Sequence, residues 1–154
     1  MKRQHLQFVI AAAVATILAT TSARADRCDD LAAQLANQIG GLTVGKVAAN
    51  TIALSHPAVR SMHLGCRSRT VSNQIDASTE GKTPSAAFYD AIAGASALVF
   101  TIPKKDALNG ITRCVKRIGL LRGHDIKTRY RRLNIHCTRV KTITTVTISR
   151  DRDE

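Results

Sequence analysis

Apolar residues recur along the chain at two spacings, and each predicts a different element. Leu31, Leu35 and Ile39 stand four residues apart, the repeat of one helix face. Asp26 suits an N-cap and Asp29 and Asp30 suit a first turn, where carboxylates favour a helix N-terminus. Gly40-Gly41 stops the run, so the first predicted helix is Arg27 to Ile39. Leu42 to Ser55 is rich in Val, Thr and Ile and predicts an extended segment, weakened by Gly45 and Ala48-Ala49, before His56-Pro57 turns the chain. From Val59 to Arg67 the spacing changes to two: Met62, Leu64 and Cys66 alternate with Ser61, His63 and Gly65, as in a half-buried strand. Val71 to Glu80 predicts a short third strand.

The helical period then returns. Gly81-Lys82-Thr83-Pro84 reads as a loop leading into a second helix, Ser85 to Phe100, with proline at its first position. Phe88, Tyr89, Ile92, Ser96 and Val99 fall at helical spacing there, and many alanines suit close packing. Pro103 opens a third helix whose apolar stripe is Leu108, Ile111, Val115 and Ile118, with Arg113, Lys116 and Arg117 turned outward. Asn109-Gly110 is a poor helix interior and predicts a kink or a later start near Gly110. Beyond Gly119 to Gly123, Ile126, Thr128 and Tyr130 share one strand face while Leu133, Ile135 and Cys137 take the opposite parity. The face must therefore switch near Arg131-Arg132, by a bulge or a turn. Lys141 to Ser149, nearly all Thr, Ile and Val, is the strongest strand in the chain. The order, roughly α-β-β-α-α-β-β, predicts the α+β class, with helices packed on an antiparallel sheet.

At the N-terminus the apolar pattern has another meaning. Lys2 and Arg3 precede an apolar run from Leu6 to Ala19, and Ala23-Arg24-Ala25 places small residues where a signal peptidase reads. Residues 1–25 are read as a cleaved secretory signal peptide and residues 26–154 as a single α+β domain. The run is shorter than the roughly 20 residues of a membrane-spanning helix, and no later segment is long and apolar enough to cross a bilayer. The expected location is periplasmic or secreted.

That location changes the reading of the cysteines. Cys28, Cys66, Cys114 and Cys137 all follow the expected cut, and an even count in a small exported chain implies two disulfides, with three pairings open. Zinc ligands usually stand two to four residues apart, which these do not, so no metal and no cofactor is expected. MHLGC, ending at Cys66, and LNIHC, ending at Cys137, each close an alternating strand after a cysteine on a helix. This echo favours Cys28–Cys66 and Cys114–Cys137 over the cross-half alternative, Cys28–Cys114 and Cys66–Cys137. On the chain-entropy view the two local bridges would stabilise the fold by about 4 and about 3.5 kcal/mol.

Charge supplies the functional signal. The formal net charge is +12, yet from Asp26 to Pro103 six Lys or Arg cancel six Asp or Glu, whereas from Lys104 to Lys141 there are twelve against two. The candidate anion-binding residues are Lys104, Lys105, Arg113, Lys116, Arg117, Lys127, Arg129, Arg131 and Arg132. Such a field attracts polyanions. The simpler account is that these cations keep an exported protein soluble and guard a strand edge. Single-strand nucleic-acid binders stack bases on aromatic rings, and Tyr130 is the one aromatic residue in the basic quarter, so nucleic acid fits less well. Anionic envelope polymer, lipid headgroups or a partner protein fit better. The chain has no Gly-x-Ser-x-Gly elbow, no phosphate loop and no His-Glu-x-x-His helix. It therefore reads as a small, non-catalytic envelope protein with a basic face. The alternatives are a secreted basic ribonuclease-like hydrolase using His124 or His136, and a periplasmic protein-binding accessory or inhibitor.

Overall fold

In the computed structural model, residues 23–68, 71–119 and 123–151 are described. Of the expected signal peptide, residues 1–22 lie outside the described residues, and Ala23 to Ala25 begin the first helix. The element order is α1 (Ala23–Gln38), β1 (Thr43–Ala48), β2 (Thr51–Ser55), β3 (Ser61–Gly65), β4 (Val71–Glu80), α2 (Ala86–Phe100), α3 (Lys104–Lys116), β5 (Asp125–Tyr130), β6 (Leu133–Val140) and β7 (Ile143–Asp151). All seven strands join one antiparallel sheet in the order β1-β2-β3-β4-β7-β6-β5.

Two meanders build this sheet. β1 to β4 run from one edge to the centre; α2 and α3 then carry the chain to the opposite edge, from which β5 to β7 run back until β7 pairs with β4. The alternation in the sequence becomes two apolar rows across the sheet. One joins Leu54, Met62, Ala77, Val146, Cys137 and Ile126; the other joins Ile52, Leu64, Ile75, Ile148 and Ile135. All eleven are buried. Full burial of each large member contributes about 1.5–3 kcal/mol. On edge strand β1, Val44 and Val47 extend these rows but are exposed.

The helices cover this apolar face alone. α1 lies over β1 and β2, α2 over β4, and α3 over β5 and β6. Phe88, Ile92, Ile111 and Leu35 are fully buried between the layers. Ser85 caps α2, its hydroxyl accepting from the Phe88 amide at 3.1 Å, so Pro84 stands before the cap and not at the first helical position. Thr101 ends α2 in a left-handed conformation at φ 52°.

Several local expectations are revised, and one pair of alternatives is decided. The extended segment after Leu42 is two strands, joined by the two-residue turn Ala49-Asn50. The face switch near Arg131-Arg132 is a two-residue hairpin turn, with both residues at positive φ (46° and 65°). This is the backbone that a right-handed sheet twist demands of a short hairpin. β4 is no short strand; it has ten residues and lies at the centre. α3 passes through Asn109-Gly110 without a break. Gly110 faces the sheet, and a β-carbon there would lie 2.7 Å from Ile135 Cδ1 and 3.1 Å from Tyr130 Cδ1. Close helix–sheet approach outweighs the intrinsic cost of glycine in a helix, about 1 kcal/mol.

Both bridges follow the local pairing, Cys28–Cys66 and Cys114–Cys137, with Cα separations of 6.0 and 6.1 Å. Each pins a flanking helix to the strand layer of its own half. The first is partly buried, and the second lies wholly in the core. Among the described residues, no helix is long and apolar enough to cross a membrane. Two disulfides and this absence are compatible with a periplasmic or extracellular location.

Candidate functional site

The sheet divides the nine candidate cations. Ile126 is buried toward the helices, so the opposite parity places Lys127 and Arg129 on the uncovered face of β5, across from His136 and Asn134. Arg113 and Lys116 are exposed on α3, on the other side of the sheet, and Arg117 caps that helix. Arg131 and Arg132 occupy the hairpin turn between β5 and β6. One continuous basic face is therefore not what the chain builds.

Ion pairing separates the candidates further. Lys104 Nζ lies 2.7 Å from Asp90 Oδ1. Arg131 Nη1 lies 3.4 Å from Asp106 Oδ2, linking the hairpin turn to the first turn of α3. The side chains of Lys105, Arg113, Lys116, Arg117, Lys127, Arg129 and Arg132 form no ion pair or hydrogen bond with any described residue. Asp90 and Asp106, the acidic residues of α2 and α3, are thus already engaged.

Arg113, Lys116 and Arg117 share a concave surface. α2 and α3 run back to back in the chain and pack antiparallel, so the end of α3 stands beside the start of α2. Exposed Ala86 and Ala87 leave the space between them unfilled, as an open groove of about 1010 Å³. Leu108, Thr112 and the Tyr89 ring line it from the two helices. The three cations lie toward one end, Asn109 and Asp90 toward the other. α2 has no acidic residue in its first turn, so nothing there cancels the positive potential of the rim. Burial pushes the Tyr89 phenol above its ordinary range, an effect that the Arg139 guanidinium opposes. The hydroxyl is therefore a neutral donor or acceptor at neutral pH.

A second, smaller recess of about 510 Å³ lies between α2 and the end of α1. Ala87 and Asp90 line both recesses, and the Asp90–Lys104 pair stands where they meet.

The uncovered sheet face is polar. One row crosses Ala53, His63, Asp76, Thr147, His136 and Lys127. Thr147 donates to Asp76 at 2.7 Å, and His136 Nε2 lies 2.8 Å from Asp125 Oδ1. His124 stands just before β5 on the parity of Ile126, and its carbonyl accepts from the Arg139 amide at 2.8 Å. The structure does not bring His124 and His136 together around one phosphate. Among the described residues, no three His, Cys, Asp or Glu side chains are placed to hold a metal ion.

The cations were visible in the sequence; the groove was not. Ala86 and Ala87 look like packing residues, and only the antiparallel fit of α2 on α3 shows that they face solvent. Comparison with protein families, with curated proteins and with solved structures finds no significant match, so the functional reading rests on this geometry.

Proposed function

We propose that the protein is a small, exported, non-catalytic binding protein of the cell envelope that associates with anionic partners through the basic rim of the α2–α3 groove. One observation carries the reading. Arg113, Lys116 and Arg117 rim a common recess without an ion pair of their own, while Asp90, which lines the same recess, and Asp106 are held by Lys104 and Arg131. Unpaired cations on a concave wall concentrate positive potential and raise the encounter rate with polyanions, an effect that falls with salt. Lys127 and Arg129, on the far side of the sheet, add to the overall field without sharing the site.

The test compares two sets of substitutions on a heparin resin at low salt. Replacing Arg113, Lys116 and Arg117 together with glutamine is expected to lower the eluting salt concentration more than replacing Lys127 and Arg129. Equal shifts from both sets would show that net charge, and not the groove, governs retention. Arg113 and Lys116 also suit the negative end of the α3 dipole, worth about 0.3–1 kcal/mol each. That contribution appears as a change in melting temperature and is read separately.

A further inference from the structure

We propose that the α2–α3 groove takes the alkyl chain of an anionic amphiphile, one ligand per protein chain, with its headgroup on Arg113, Lys116 and Arg117. This rests on the reading above and narrows it to a ligand class. The groove has the polarity of such a molecule: cations gather at one end, and an apolar floor of Ala87, Leu108 and the Tyr89 ring leads away from them. An acidic helix of a partner protein would call for cations along the whole length. An extended peptide would call for a strand edge, and two packed helices offer none.

The far end carries charge. Asp90 and Lys104, 2.7 Å apart, stand across the junction with the second recess. From Leu108 to Arg117 the helix rises about 14 Å. A tail longer than this rise would meet a charged pair or bend into water.

Isothermal titration calorimetry with monomeric dodecyl phosphate tests this, with heparin retention followed in parallel. Saturable binding near one molecule per chain is expected, with much weaker binding of inorganic phosphate and of neutral dodecyl maltoside. Ala87→Trp, at an exposed position and so compatible with folding, fills the floor. It should weaken dodecyl phosphate by roughly tenfold or more, the effect of displacing about two buried methylenes, and leave heparin retention unchanged. Thr112→Trp is the second filling variant. The triple glutamine variant should lose both activities. Wild-type protein that is retained on heparin but does not bind dodecyl phosphate overturns this inference and leaves the broader reading standing. Equal affinity for dodecyl maltoside overturns it too, because the rim then reads no charge. Binding of an acidic amphipathic peptide without binding of dodecyl phosphate would assign the groove to a protein partner instead.

Discussion

Gly110 of α3 lies close against Ile135 of β6: a β-carbon on Gly110 would sit 2.7 Å from Ile135 Cδ1, so that side chain would have to shift. Helix propensity alone favours Gly110→Ala by about 1 kcal/mol. Ile135 is 1% exposed and cannot withdraw without disturbing its row, and overpacking costs typically about 1–3 kcal/mol. The variant is expected to lose about 1 kcal/mol of stability where an ordinary exposed helix site would gain it, as read by urea denaturation.

Arg150 performs a related task at the other end of the helix layer. Its Nη2 donates to the Phe100 carbonyl at 2.8 Å, and its guanidinium carbon lies 5.7 Å from the Phe100 ring centroid. The cation thus meets the carbonyl end of α2, where the helix dipole is negative. Arg150→Met should cost about 1–2 kcal/mol through the lost charged hydrogen bond and cation–π contact. A melting temperature equal to wild type would show that the contact contributes nothing net.

The two bridges differ in access. Cys114 and Cys137 are 0% exposed, whereas Cys28 and Cys66 are only partly buried. A thiolate must reach a sulfur to reduce it. Mild reductant under native conditions, followed by alkylation and peptide mass mapping, should label Cys28 and Cys66 first. Cys114 and Cys137 should react at the rate of global unfolding. Simultaneous labelling of all four would contradict this order.

Tyr89 links stability to alkaline pH. Burial raises its pKa in the folded state, with Arg139 opposing, so the folded chain holds the phenolic proton more tightly than the unfolded chain does. Its stabilising contribution is complete below the unfolded value of about 10 and is lost as pH rises through the folded value. Tyr89→Phe should therefore show a shallower loss of melting temperature above about pH 10 than wild type. Parallel curves would exclude the effect.

These contacts also show where sequence reasoning stops. The extent of α2 to within a residue, the Leu108–Ile111–Val115 stripe, the alternation ending at Cys137 and the local disulfide pairing were legible because each is set by residues near one another in the chain. The hairpins at Ala49-Asn50 and Lys141-Thr142 carry no Asn-Gly or Asp-Gly signal, yet Ala49 and Lys141 adopt φ of 51° and 55°. Strand pairing on both sides imposes that conformation, and pairing is a tertiary fact. Gly110 misled for the same reason: what makes it tolerable in a helix is Ile135, on another element. For the site, the parity of Lys127 and Arg129 was readable. That α3 lies beyond the opposite face of the sheet, and that two alanines leave a groove beside its cations, depends on layer order and helix packing.

Because the last strand in chain order fills the middle of the sheet and not a margin, β4 keeps an open flank until Thr144 to Ile148 arrive. Without β7, the meander of β1 to β4 ends in a strand unpaired on that flank, and the next strand across the gap, β6, lies in the other half of the chain. β7 is thus the keystone of the sheet: loss of Thr144 to Ile148 would part the two halves along both of its flanks.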